Sequence, residues 1–321
     1  MLIFAPAYIL NNIFICFVRN DGSPRLSMVA MLTGSLSNII LDYIFIFPLG
    51  MGMFGAILAT GIAPIVSMGV LSIHLFKKKN NFHISRGGSH LTFSKNIIAL
   101  GVPSLVVELS SGIVMIVFNV IILNLKGNLG VAAYGIIANI SLVVLSIYTG
   151  IAQGVQPILS ESYGKGREED GETILKYALT SSIILSVLIY VVVYIGADHI
   201  VRIFNSEGID ALQGIAINGM RNYFIGCIFA GFNIIMAVYF SATAKPKPAQ
   251  LISVFRGFIL IIPLSLILAL ALDITGVWLA FPATELIVMI FVLWKRSTSA
   301  SNASIEYSTK STLEVGEEGA L

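Results

Sequence analysis

An acidic residue with an amide neighbour one helical turn earlier stands in the middle of an apolar run. Asp42 lies within residues 26–48, and Asn38 precedes it by four positions. This spacing places both side chains on one face of a helix. A carboxylate beside an amide oxygen in a dry cavity can hold Na⁺ or a proton. The pair therefore predicts either a cation site or a polar contact that joins two helices.

Two further acidic residues and one arginine inside apolar runs are candidates for function or structure. Glu108 belongs to the run 96–125, and Glu285 is near the middle of the run 276–294. A charge at membrane depth costs at least about 2.5–3.5 kcal/mol, so each residue is a candidate for function. We expect Glu108 or Glu285 to contribute to a second cation or substrate site. Arg256 is near one end of its run, and we interpret it as a structural residue whose side chain extends to the membrane surface.

The apolar runs that carry these residues dominate the chain. Of its 321 residues, 56% are hydrophobic and 11% are charged, whereas a soluble domain carries about 25% charged residues. This composition excludes a soluble enzyme and a nucleic-acid-binding protein. A transmembrane helix needs about 20 apolar residues, and such runs occur nine times. They are residues 1–18, 26–48, 54–76, 96–125, 131–159, 174–196, 215–240, 250–272 and 276–294.

The predicted fold class is therefore all-α, a polytopic membrane helix bundle with about nine transmembrane helices. Fifteen of the nineteen Lys and Arg residues fall in alternate connections that include the C-terminal end. Positive residues accumulate on the cytoplasmic side of a membrane, so the C-terminus is predicted to be cytoplasmic. The end of the chain, 296–321, is rich in Ser, Thr and Glu and is predicted to be a disordered tail.

Two short matches indicate an internal repeat. The turn at Pro24 has a counterpart at Pro246, 222 positions later, and the segment at Gly55 has one at Gly276, 221 positions later. The first three runs would then correspond to the last three, and the two copies share one orientation because six runs separate them. This pattern predicts a parallel repeat of six-helix lobes, with the first lobe truncated by three helices.

The repeat also sets the predicted domain boundaries. Residues 1–76 would form the second half of an N-terminal lobe, and residues 77–95 a cytoplasmic linker between lobes. Residues 96–295 would form the complete C-terminal six-helix lobe, which is followed by the tail 296–321.

Several motifs resemble one transporter family. Residues 17–42 run from an aromatic helix end through DGSP to GSLSNIILD, and GAILAT, GVPS and GVQPILS follow at 55–60, 101–104 and 154–160. In combination these segments resemble the multidrug and toxic compound extrusion (MATE) family, in its bacterial drug-efflux branch. The resemblance covers nearly all of residues 1–295. It implies two six-helix lobes around a central cavity, of which the first three helices would be missing here.

The resemblance also implies a function and a set of site residues. It implies a secondary active efflux antiporter of the plasma (inner) membrane, which exports amphipathic, mostly cationic drugs in exchange for H⁺ or Na⁺ and is a monomer when complete. In this family Asp42, Asn38 and Thr60 match a cation site of the first lobe. Glu108 matches a carboxylate of the second lobe in one branch, but the acidic partner of that branch is absent from the run 215–240.

Enzyme chemistry has no support in the sequence. The chain lacks a Ser-His-Asp, P-loop or GxGxxG context, and no two histidines are three or four positions apart. We therefore predict no enzyme activity, no cofactor, and no metal other than a possible Na⁺ at Asp42. Two alternatives to a drug antiporter stay open: a truncated membrane fragment that does not transport, and a lipid-linked sugar flippase of related fold.

Overall fold

The described residues form helices joined by short turns. The computed structural model describes residues 2–77, 80–82 and 91–318, and within these ranges there is no strand. The chain divides into two compact units, Met1–Ser89 and His90–Leu321. Part of the predicted linker 77–95 lies outside the described residues, so the domain boundaries derived from the sequence stay predictions. The structure continues as helix to Glu318, within the tail 296–321 that the sequence predicts to be disordered.

Unit 1 contains three helices, and its turns follow from proline and glycine. Pro24 occupies the first turn of its helix, where the missing amide hydrogen is not needed. Ile15, Val18, Ala30 and Leu71 form the buried contact among the three helices. The helices are α1 (Ala5–Asn20), α2 (Pro24–Ile46) and α3 (Gly52–Phe76).

Unit 2 contains six further helices, two of which are interrupted. The longest breaks at Gly127, which has a φ of 62°, and the last breaks at Asp273, which has a φ of 55°. A salt bridge of 2.8 Å joins Lys126 to Asp273, so the two breaks lie at the same end of the unit. The helices are α4 (Leu91–Gly164), α5 (Glu168–Phe204), α6 (Asp210–Tyr223), α7 (Cys227–Ala242), α8 (Pro246–Val254) and α9 (Ile261–Glu318).

The helices have the length and composition of membrane spans. Six helical stretches are long and apolar enough to cross a bilayer, and the two longest have 68 and 51 residues. Each of these two contains one of the breaks, so each supplies two crossings. Together with α1, this gives nine helical runs in the described part of the chain, as the sequence predicts. The chain is a multi-pass membrane protein of the predicted all-α class.

The turns before α2 and α8 have the same geometry. In the first, the amide of Asp21 donates to the carbonyl of Phe17, and the amide of Ser23 donates to Val18. In the second, the amides of Thr243 and Lys245 donate to the carbonyls of Tyr239 and Phe240. All four residues of each turn correspond at an offset of 222 positions. A residue with positive φ precedes the proline by two positions in both, namely Gly22 and Ala244. This agreement supports the predicted repeat.

The second pair of matched positions also has a shared structural role. A Cβ atom on Gly55 would lie 2.8 Å from the Cβ of Phe45, and one on Gly276 would overlap the carbonyl oxygen of Leu268. In both places the start of one helix packs closely against the end of the preceding one. Glycine is needed because any side chain would force the two helices apart.

Replacing Gly276 with Ala is expected to destabilise unit 2. The added methyl group meets backbone rather than a movable side chain, so the two segments of α9 must separate. Overpacking of this kind costs about 1–3 kcal/mol or more, and the midpoint of thermal unfolding in detergent should fall. Gly154→Ala is the matched control because no atom lies within 4 Å of the added Cβ. Equal unfolding midpoints for the two variants would contradict the close contact.

Candidate functional site

The predicted site residues of unit 1 lie on two neighbouring helices. Asn38 of α2 and Thr60 of α3 are in contact, with 3.5 Å between Nδ2 of Asn38 and Oγ1 of Thr60. The Thr60 hydroxyl donates to the carbonyl of Ala56 at 2.8 Å, so its oxygen acts as the acceptor for the amide group of Asn38. Tyr8 of α1 donates to the backbone carbonyl of Thr60 at 2.8 Å. All three helices of unit 1 therefore meet at Thr60.

Asp42 lies one helical turn after Asn38 and is half-buried. Its Oδ1 atom is buried and has no hydrogen-bond partner within the described part of the chain. Buried carboxylate oxygens are nearly always paired, because an isolated buried charge is costly. A bound proton or cation would remove this cost, so the geometry of Asp42 fits a group that takes up a positive charge.

A cavity of about 400 Å³ opens between the three helices of unit 1. Asn38 and Thr60 line it, whereas Asp42 is not part of its lining. Asn11 and Ser67 also line it, and Asn11 Oδ1 and Ser67 Oγ are buried without partners among the described residues. Sequence reasoning missed these two residues. The signal that identifies them is a neutral polar side chain inside an apolar run, and Asn11 and Ser67 both have it.

A separate polar cluster of unit 1 surrounds the turn between α1 and α2. Oδ2 of Asp21 lies 2.9 Å from Nε2 of the buried His74 and accepts the backbone amide of Asn81 at 2.8 Å. The hydrogen bond with His74, followed by those from Asn81, lowers the pKa of the Asp21 carboxyl group. Phe82 stacks on the His74 ring with a centroid distance of 6.0 Å. These contacts attach residues 81–82 to the end of α3.

Glu285 of unit 2 lies in a buried ion pair. Oε1 of Glu285 accepts Nη2 of Arg256 at 2.7 Å, and Nε of Arg256 lies 2.9 Å from both carboxylate oxygens. Asn233 of α7 donates to Oε2 at 2.7 Å and to the backbone carbonyl of Glu285 at 2.8 Å. The side chain of Glu285 is 3% exposed and that of Arg256 is 15% exposed. The carboxylate is therefore fully engaged by protein donors.

The position of Arg256 corrects the interpretation from the sequence. Its side chain does not extend away from the unit but turns inward to Glu285. The residue belongs to a π-helical turn, Phe255–Ile259, that joins α8 to α9. The neighbouring Gly257 allows this turn to approach α4, because a Cβ there would overlap the hydroxyl of Ser110. Short π-helical turns within α-helices occur frequently at functional sites.

A second cavity, of about 270 Å³, lies beside this ion pair. Arg256 and Glu285 are the charged residues of its lining, and the rest of the wall is aromatic, aliphatic or hydroxyl-bearing. Glu108 does not line this cavity, although Val107 and Ser110 do, and its side chain is exposed. The structure therefore places Glu285 at a cavity of unit 2 and Glu108 outside it.

Known proteins resemble the chain in sequence and in fold. The MatE family model matches residues 103–267. Multidrug export protein MepA of Staphylococcus aureus (strain bovine RF122 / ET3-1) is 25% identical over 316 residues, which are 95% of this chain and 68% of that protein. MepA of Staphylococcus saprophyticus subsp. saprophyticus is 25% identical over 281 residues, 86% of this chain and 61% of that protein.

Solved structures share the helical arrangement. A crystal structure of MATE in complex with MaL6 has a TM-score of 0.85 at 23% identity and covers 92% of this chain and 67% of that one. An outward-facing conformation of a multidrug resistance MATE family transporter of the MOP superfamily has the same TM-score, identity and coverage. At this identity the likeness concerns the fold. The chain spans about two thirds of the length of these relatives.

Proposed function

Because the chain belongs to the MatE family, whose known members are transporters rather than enzymes, we propose that it acts in secondary active export. Its substrates are amphipathic, mostly cationic compounds, and the coupling ion is H⁺ or Na⁺. The observation that carries the proposal is the buried carboxylate oxygen of Asp42, which lies inside an apolar helix and has no hydrogen-bond partner among the described residues. Such a group binds a proton or cation in one state of a transporter and releases it in another.

The coupling site consists of Asp42 with Asn38 and Thr60 as neutral oxygen ligands. The contact between Asn38 and Thr60 supports this assignment, since it brings two of the three residues together one turn from the acid. Na⁺ would take the carboxylate of Asp42, the amide oxygen of Asn38 and the hydroxyl of Thr60, whereas H⁺ needs only Asp42. The site requires no metal other than this possible Na⁺ and no cofactor.

Unit 2 is the rival location for coupling. Glu285 already has Arg256 as its counter-ion, so a second cation there would meet a guanidinium group at the same carboxylate. Glu108 is exposed, whereas the Oδ1 atom of Asp42 is buried. Both observations favour Asp42 as the coupling residue.

The membrane orientation completes the proposal. The protein lies in the plasma (inner) membrane with its C-terminus in the cytoplasm, and it acts as a monomer. The placement of Lys and Arg in alternate connections supports this orientation. The proposed domains are residues 1–76, the linker 77–95, the lobe 96–295 and the tail 296–321.

Transport in proteoliposomes tests the function. The protein encoded by the complete open reading frame is reconstituted into liposomes. The export of a cationic dye is then followed after an H⁺ or Na⁺ gradient is imposed. We expect export with one of the two gradients and none without a gradient. Dye movement that ignores both gradients, or no movement at all with well-folded protein, would contradict coupled export.

A further inference from the structure

The two charged side chains that line the cavity of unit 2 differ in their exposure to a ligand. Arg256 and Glu285 are the charged side chains among the described residues that line it, so their formal charges cancel. The guanidinium group is 15% exposed, however, whereas the carboxylate is 3% exposed. A molecule that enters the cavity therefore meets the positive partner of the pair first.

The hydrogen bonds of the pair lead to the same conclusion. The carboxylate of Glu285 accepts hydrogen bonds from Nε and Nη2 of Arg256 and from Nδ2 of Asn233. A guanidinium group has five N–H donors. Among the described residues, Arg256 makes its hydrogen bonds through Nε and Nη2 alone, and these go to Glu285. The Nη1 edge of Arg256 is therefore available to an acceptor, while Glu285 has little capacity left for a donor.

The remaining wall of the cavity is suited to a flat aromatic body. Phe118 and Tyr134 stack with a centroid distance of 5.5 Å, and Tyr223 and Phe281 stack at 4.5 Å. All four line the cavity, and the hydroxyl groups of Ser110, Ser141 and Ser253 lie among them. The volume of about 270 Å³ is near the lower end of small-molecule sites, about 300–1,000 Å³. A ligand of two or three fused rings fits this size.

We propose that the cavity of unit 2 binds aromatic carboxylates, with the carboxylate on the Nη1 edge of Arg256 and the rings among the aromatic side chains. Planar carboxylates match a guanidinium edge with two parallel hydrogen bonds. A cationic ligand would first have to separate Arg256 from Glu285, which leaves a buried charge without a partner. Glu285 and Asn233 are positioning residues, because they hold the guanidinium in place without needing to touch the ligand.

This inference goes beyond the proposed function, because aromatic carboxylates are a ligand class separate from the cationic compounds proposed for export. The polarity of this site is opposite to that of Asp42 in unit 1, where the carboxylate oxygen has no partner among the described residues. The two units would thus bind groups of different charge: a coupling cation at Asp42 and the carboxylate of a ligand at Arg256.

Binding of three matched anthracenes tests the proposal in the purified full chain without any ion gradient. The probes are anthracene-9-carboxylate, its uncharged carboxamide and 9-(aminomethyl)anthracene, which is a cation. Trp278 stacks with Tyr134 of the cavity wall at 6.3 Å, so energy transfer to a bound anthracene reports occupancy. The sequence has two tryptophans, and in a Trp294→Phe background Trp278 is the one that remains. We expect the carboxylate to bind about tenfold or more tightly than the cation, as a charge-assisted hydrogen bond implies.

Variants decide whether Arg256 causes the preference. The double variant Arg256→Met/Glu285→Gln removes both charges and leaves no unpaired one, and it should abolish the preference for the carboxylate. Glu285→Gln alone keeps the guanidinium group and should therefore retain the preference for the carboxylate. Arg221→Met is the matched control, because Arg221 lies over the Tyr194 ring outside the cavity lining. This variant should leave the affinities for all three anthracenes unchanged.

Two results would overturn the proposal. One is tighter or equal binding of the cationic anthracene to the unaltered chain. The other is an unchanged preference for the carboxylate in Arg256→Met/Glu285→Gln. Because these measurements use no gradient, either failure leaves coupled export at Asp42 standing, and a failure of coupled export leaves the binding result standing.

Discussion

Replacing Asp42 with Asn is expected to abolish gradient-driven export and to leave the protein folded. Asn keeps the shape of the side chain and removes the charge that a proton or Na⁺ would neutralise. A coupling ion shifts the equilibrium between two states only through its different affinities for them. Without the carboxylate this difference disappears, so the imposed gradient has no effect. Dye export in proteoliposomes under H⁺ and Na⁺ gradients measures the loss, and the unfolding midpoint shows that the fold is retained.

Two milder variants show whether the site extends beyond the acid. Asn38→Ala and Thr60→Ala each remove one neutral oxygen, so export should decrease less than in Asp42→Asn. If the ion is Na⁺, both should raise the Na⁺ concentration needed for half-maximal export. If it is H⁺, both should leave the pH dependence nearly unchanged, because neither residue takes up the proton.

Glu108→Gln is the matched control for Asp42→Asn, because it also removes a carboxylate from a membrane-spanning helix. Glu108 is exposed and lies outside the cavity of unit 2, so its replacement should leave coupling intact. Normal gradient-driven export by Asp42→Asn together with a loss in Glu108→Gln would move the coupling site to unit 2.

The helical runs could be predicted from the sequence because they depend on composition and local signals. Continuous apolar runs specify spanning helices wherever the surroundings are lipid. The break at Gly127 falls between the predicted runs 96–125 and 131–159, and the break at Asp273 falls between 250–272 and 276–294. The paired turns at Pro24 and Pro246 follow from proline, which cannot continue a preceding helix.

The contacts of the sites depend on helix rotation, which the sequence does not specify in the same way. Asn38 and Thr60 are 22 positions apart, and only the packing of α2 on α3 makes them neighbours. The ion pair of Arg256 depends on the π-helical turn at 255–259. One extra residue in a turn rotates the following helix by about 100°. The position of Arg256 near one end of its run predicts a side chain that extends to the membrane surface, and this prediction gives no partner for it.

Replacing Arg256 with Met is expected to destabilise unit 2 strongly. It leaves the carboxylate of Glu285, which is 3% exposed, with Asn233 as its one remaining side-chain donor among the described residues. Removing one partner of a buried ion pair costs about 3–5 kcal/mol, because the other charge stays buried without compensation. The midpoint of thermal unfolding in detergent should fall by several degrees.

The double variant Arg256→Met/Glu285→Gln separates this cause from a loss of packing. Gln removes the charge and can still accept a hydrogen bond from Asn233, so most of the lost stability should return, as replacement of whole buried ion pairs is often nearly neutral. Arg202→Met is the control for losing an arginine, because its ion pair with Asp198 is exposed and such pairs contribute about 0–1 kcal/mol. If the double variant were as unstable as Arg256→Met, the packing of the arginine stem against its neighbours would account for the loss. The charge of Glu285 would then have no part in it.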